Sequence, residues 1–133
     1  MNPNKPWHIG HLRNALLGDS VARILSFAGE NVESIDYIDD LGLQAAQSLY
    51  GYLNFGKKPD KKLDHFIGEQ YVQVAGEMEK NPEMQNKVRE TLKKMEHGGN
   101  EISEKARWLS EEVVKAQYET DFALSIYHDA LVF

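Results

Sequence analysis

The sequence predicts an α/β fold, mostly helical, in which a partial doubly wound nucleotide-binding unit carries an all-α insertion. Three observations carry that prediction. Up to residue 53 the chain runs extended segment, helix, strand, turn, helix, the rhythm of a doubly wound sheet. From 62 to 124 apolar residues recur at helical spacing alone. From Ile126 to Phe133 a short apolar stretch resumes, as if returning to a sheet. The implied division is 1–54, 55–125 (the helical insertion) and 126–133.

Residues 1–7 are extended, because Pro3 and Pro6 each bias the preceding residue away from helix. A long amphipathic helix opens near Ile9, with Leu12, Leu16, Val21, Ile24, Leu25 and Ala28 on its stripe and Gly29 at its end. Asn31 to Ile38 reads as a strand through Val32, Ile35, Tyr37 and Ile38. The turn Asp39-Asp40-Leu41-Gly42 breaks it, and a second helix spans about Leu43 to Leu53. After the loop Phe55–Asp60 come helices at about 62–80, 82–97 and 101–124. Pro82 suits a first helical turn, and Gly98-Gly99 ends the helix before it reaches Asn100. Asn100 and Ser103 compete to cap the last helix.

The chain has 133 residues, a formal charge of −6 and no cysteine. Disulfides and thiolate metal sites are therefore excluded. No apolar run approaches the roughly 20 residues a bilayer requires, and the polar start resembles no signal peptide. A cytoplasmic home is expected. Residues 1–50 hold three basic against six acidic groups, and 51–133 hold twelve against fifteen. Neither half is a free-standing footprint for a polyanion. The one basic cluster, Lys57-Lys58 with Lys61-Lys62, reads as a solvated loop.

Chemistry concentrates around His8. His8 and His11 lie three apart at a helix start, on one face. A helix N-terminus offers unpaired N–H groups and a positive dipole end, which favour phosphate. Gly10 between them lets a flat ring or a phosphate approach the backbone, and Lys5 adds a cation just upstream. Such a set would donate hydrogen bonds to charge developing on phosphorus. Metal binding is the poorer reading, since no third His or Cys completes a site. A pair of surface histidines without a role is the blander alternative. Trp7 reads as core packing, Asn2 as a possible turn former, and Asp39 and Asp40 as possible caps of the next helix. His65, His97 and His128 stand alone in the sequence.

The string His8-Ile9-Gly10-His11 resembles the first signature of class I aminoacyl-tRNA synthetases and related nucleotidyltransferases. The wider run, Asn2-Pro3-Asn4-Lys5-Pro6-Trp7 through Leu12-Arg13-Asn14-Ala15-Leu16-Leu17-Gly18-Asp19, is more specific and resembles the arginyl-tRNA synthetase family, especially its archaeal form. Tyr37-Ile38-Asp39-Asp40-Leu41-Gly42-Leu43-Gln44 and Leu124-Ser125-Ile126-Tyr127-His128-Asp129 are similar to later segments of that family. Lys94-Met95-Glu96-His97 is superficially like the second class I signature, but it lies in a helical pattern and lacks the second lysine.

The resemblance implies a Rossmann-like, HUP-type catalytic domain that activates arginine with ATP, accompanied by Mg2+, and passes the arginyl group to tRNA(Arg). On that reading His8, His11 and Lys5 are catalytic, and the same three with Gly10 bind ATP. Asn2, Asp40 and Gln44 bind arginine, and no metal is held by the protein. Family members typically need tRNA bound before they activate arginine. The second signature and the tRNA-binding domains are not in this stretch, so a fragment incomplete for catalysis is expected. Exposed sheet edges predict self-association. Two other readings stand beside it: another nucleotidyltransferase with the same signature, and a non-catalytic helical interaction module working through residues 60–125.

Overall fold

The computed structural model describes residues 2–55 and 59–133. Among them lie five helices and two strands: α1 (Ile9–Phe27), β1 (Ile35–Tyr37), α2 (Leu43–Asn54), α3 (Leu63–Met78), α4 (Pro82–His97), α5 (Glu101–Ala123) and β2 (Ala130–Val132). The protein is mostly helical. Lys57 and Lys58, half of the predicted basic cluster, lie outside the described residues.

Local chemistry sets the helix ends. Asn81 caps α4 by accepting from Glu83 N at 2.9 Å, with Pro82 in the first turn. Asn100, not Ser103, caps α5: its Oδ1 accepts from Ile102 N and Ser103 N at 3.0 and 3.1 Å. Ser103 is the other half of the same capping box, its Oγ accepting from Asn100 N at 3.1 Å. The α2 cap is Gly42, at φ 120°, so neither Asp39 nor Asp40 serves as the cap.

Helices α2 to α5 enclose the core. Ala46, Leu49, Ile67, Val74, Val88, Leu109 and Val113 meet there and are buried. Close approach is built into α2, where a Cβ on Gly51 would stand 2.9 Å from Gln70 Cβ and 3.1 Å from Gln70 O. A smaller cluster of Ile38, Val114 and Tyr118 joins the strand end to α5.

The strands pair in parallel, with Ile35 opposite Ala130, Asp36 opposite Leu131 and Tyr37 opposite Val132. Ile38 N donates to Val132 O at 2.7 Å, and Ser34 N donates to the Asp129 carboxylate at 2.8 Å. The expected strand 31–38 is therefore shortened to three residues. Residues 31–34 have the composition of a strand, but β2 is the sole neighbour among the described residues and its register runs only from Ala130.

Helix α1 also departs from expectation. Among the described residues it packs against no other helix or strand, and none of its own residues is buried. Ile9, Leu17, Val21 and Ile24 are exposed, and Phe27 is 96% exposed. A helix apolar on several sides is the composition of one that is covered all round in a larger assembly. The helix ends at the cap residue Ala28, with Gly29 at φ 93° just beyond it.

Lys62 is a correction too, while Lys61 stays an exposed loop residue. Lys61 is exposed but pairs with Glu69 at 2.9 Å. Lys62 is half-buried, donating to Thr120 Oγ1 at 2.9 Å and lying 3.5 Å from the buried Asp64 carboxylate. It ties the start of α3 to the end of α5 and is no solvated loop charge.

Candidate functional site

His8 is the N-cap of α1, in extended geometry (φ −105°, ψ 172°). Its Nδ1 accepts from Gly10 N at 3.0 Å, and His11 Nδ1 accepts from His8 N at 3.4 Å. The two imidazoles form a reciprocal cap built from histidines, where Ser and Glu usually serve. Both Nδ1 atoms take backbone protons, so each neutral ring carries its own proton on Nε2. The pair therefore turns two Nε2–H donors away from the helix. The rings stack with centres 3.9 Å apart.

Gly10 acquires a second role here. A Cβ at this position would lie 2.8 Å from His8 Cε1 and 3.0 Å from its Nδ1. The missing side chain is the space into which the His8 ring folds. Sequence reasoning gave Gly10 only to the ligand; the structure also gives it to the capping histidine.

Electrostatics favour neutral His11. Its pKa is lowered from the ordinary 6.5, first by burial, then by the neighbouring His8 and Lys5. Lys5 Nζ stands 5.9 Å above the Tyr71 ring, on the face of α3.

Two clefts flank the signature. One, of about 450 Å³, runs between α1 and the strands and is lined by Trp7, His11, Asn14, Asp36 and His128 among others. The other, of about 720 Å³, lies toward α3 and is lined by Lys5, Trp7, His8, His65 and Tyr71 among others. Trp7 is the wall between them. Its ring is half-buried and its Nε1 is buried without a partner among the described residues, so it is not the plain core tryptophan expected.

The remaining sequence candidates divide. Asn2 and Gln44 meet, Asn2 Nδ2 donating to Gln44 Oε1 at 3.3 Å. Asn2 Oδ1 also accepts from Asn4 Nδ2. Asp40 is half-buried in the turn before α2 and lines neither cleft. Arg13 and Asn14 are exposed on α1.

Three groups were missed. Asn4, 2% exposed, is the more buried asparagine of the opening turn. Its signal was present as Pro-Asn in a turn. Gln117 on α5 is buried against that turn, and nothing local in the sequence marks it. His128, set aside as isolated, meets the Tyr118 hydroxyl at 3.2 Å, which in turn donates to Asp36 at 3.1 Å. Burial, then Asp36, holds the Tyr118 phenol well above its usual range. Beside them Asp121 is fully buried with neither carboxylate oxygen partnered among the described residues. Burial and then Asp36 raise its pKa to about 7, against a smaller opposing pull from Lys62.

Among the described residues no cluster of three or more His, Cys, Asp or Glu forms a metal site, and no helix is long and apolar enough to cross a membrane. The arrangement sets N–H groups of a helix N-terminus beside two imidazoles and Lys5, groups of the kind that attract an anion.

The family model described as tRNA synthetases class I (R), catalytic domain, matches residues 1–128. The arginine–tRNA ligase of Thermococcus sibiricus is 48% identical, the match covering 98% of this chain and 22% of that protein. That of Deinococcus radiodurans is 45% identical over 98% of this chain and 21% of its own length. A solved structure of Thermus thermophilus arginyl-tRNA synthetase superposes with a TM-score of 0.79 at 37% identity, covering 98% of this chain and 21% of that one. The chain spans about a fifth of the length of these relatives.

Proposed function

The chain belongs to the class I arginyl-tRNA synthetase catalytic-domain family, and from that premise we propose that it supplies the ATP-binding half of an arginine-activating site. The reaction joins arginine to ATP: a carboxylate oxygen attacks the α-phosphorus, and the bond to pyrophosphate breaks. The arginyl group then passes to the terminal adenosine of tRNA(Arg), and the adenylate leaves as AMP. ATP enters with Mg2+ as its counterion.

The observation that carries this reading is the histidine pair at a helix N-terminus, whose Nδ1 atoms accept from backbone N–H groups and so leave the Nε2–H groups for a ligand. They stabilise the negative charge that grows on the α-phosphate oxygens in the transition state. Lys5 neutralises phosphate charge from the α3 side. Gly10 keeps the backbone approachable, and Asn2, Gln44 and Asp40 are assigned to arginine. In this reading residues 1–54 open a Rossmann-like, HUP-type unit, 55–125 form its helical insertion, and 126–133 return to the sheet. The site of action is the cytoplasm, where translation takes place. Exposed strand edges and the uncovered α1 lead this chain to associate with itself, so its mass by light scattering rises with concentration. A constant monomer mass removes that part.

The test pairs binding with turnover. Calorimetric titration with MgATP should show binding that His8→Ala and His11→Ala each weaken at least tenfold. Arginine-dependent ATP–pyrophosphate exchange, with and without tRNA, should be absent for this chain alone. Undetectable ATP binding by the unaltered chain overturns the nucleotide assignment, and robust exchange overturns the claim of an incomplete site.

A further inference from the structure

Gln117 joins the far helix to the opening turn. It is 1% exposed, and its amide nitrogen donates to Asn2 O at 3.0 Å and to Lys5 O at 2.8 Å. Backbone carbonyls only accept, so the NH2 group must face them and the amide's orientation is fixed by chemistry. Its Oε1 is then left buried without a donor among the described residues, an unfavourable arrangement that an apolar side chain of the same size would avoid. Packing alone gives no reason for a glutamine here. The two carbonyls bracket the turn that carries Lys5 and leads three residues later into His8.

The opposite side of that turn is also held. On α3, a Cβ at Gly68 would stand 2.8 Å from Pro6 Cδ, so α3 abuts Pro6 with no space to spare. We propose that Gln117 is a positioning residue for the phosphate-binding turn, holding Asn2 to Lys5 against α3 so that Lys5 and the His8–His11 pair share one fixed geometry. The inference rests on the nucleotide reading for its consequence in binding, though not for its consequence in structure.

Gln117→Met removes both donors at nearly constant volume. Gln70→Met, an equivalent change at a buried glutamine of α3 away from the turn, is the control. The 15N shifts of the His8 and His11 rings and of the Gly10 amide are read in the free chain, and MgATP affinity by calorimetry. Expected for Gln117→Met are displaced ring and amide shifts, a His11 midpoint moved up as Lys5 shifts away, and ATP binding weakened at least tenfold. The control, whose Oε1 is likewise buried without a partner among the described residues, should show neither change. Should Gln117→Met not fold, Gln117→Asn, which keeps the donor one methylene short, is expected to move the same signals in the same direction. Unaltered shifts with unaltered affinity in the folded variant overturn the proposal. If the unaltered chain binds no ATP, the nucleotide reading fails, and the ring and amide shifts alone then decide the positioning role.

Discussion

The rings of His8 and His11 face each other with centres 3.9 Å apart and planes 25° from parallel. A positive charge on one opposes a charge on the other, and burial already disfavours the charged form of His11. His8→Ala should therefore raise the His11 midpoint toward 6.5 without reaching it, because burial is the larger cause. Proton–nitrogen correlation spectra of the ring across pH give the midpoint directly. The sign for stability follows. A histidine whose folded pKa is lowered contributes stability above 6.5, and that contribution is lost as pH falls through the depressed value.

Gly10→Ala should separate folding from binding. Alanine favours helix over glycine by up to about 1 kcal/mol, and losing the His8 cap costs a similar amount, so the melting temperature should change little. The new Cβ, 2.8 Å from His8 Cε1, forces the ring off the Gly10 N–H. Affinity for MgATP should fall about tenfold. A stability loss with unchanged affinity would contradict the place given to this glycine.

Asp121 predicts an inverted pH dependence. Its folded pKa, about 7, exceeds the ordinary 3.8. The fold then binds a proton that the unfolded chain releases, so its contribution is greatest below about pH 4 and declines as pH rises through 7. Asp121→Asn should add stability on the order of 2 kcal/mol at pH 8 and little at pH 4. Urea unfolding at both values checks this; equal effects at the two pH values would discard it.

Ser125 occupies the left-handed region at φ 58°, just past the end of α5. An L side chain there costs about 1 kcal/mol that glycine avoids, partly offset by glycine's freer unfolded chain. Ser125→Gly should stabilise the protein by about 0.5 kcal/mol, read as a small rise in urea midpoint at constant slope.

The helices were legible because their signals are local. Pro82, Gly98-Gly99 and Asn100 each act within a turn of themselves, and α4 starts and stops where they place it. The histidine site was legible for the same reason, its whole cap lying between His8 and His11. Strand β1 was legible in place but not in length, because strand length depends on the partner and β2 comes 95 residues later. Gln117 and His128 escaped notice because their partners, Asn2 and Asp36 through Tyr118, are distant in sequence. The amphipathic stripe read on α1 was misjudged: the helix is apolar on several sides and none of its residues is buried.

Arg23 gives α1 a further property. Its Nη2 donates to Ser125 O at 2.6 Å, while at the other end the turn before His8 is held between α3 and α5. With 19 residues, α1 is roughly 28 Å long, and among the described residues no other helix or strand packs against it. It behaves as a beam resting on two supports. On the nucleotide reading proposed above, the direction of the two histidines then depends partly on a carbonyl at the far end of the helix, which touches neither of them.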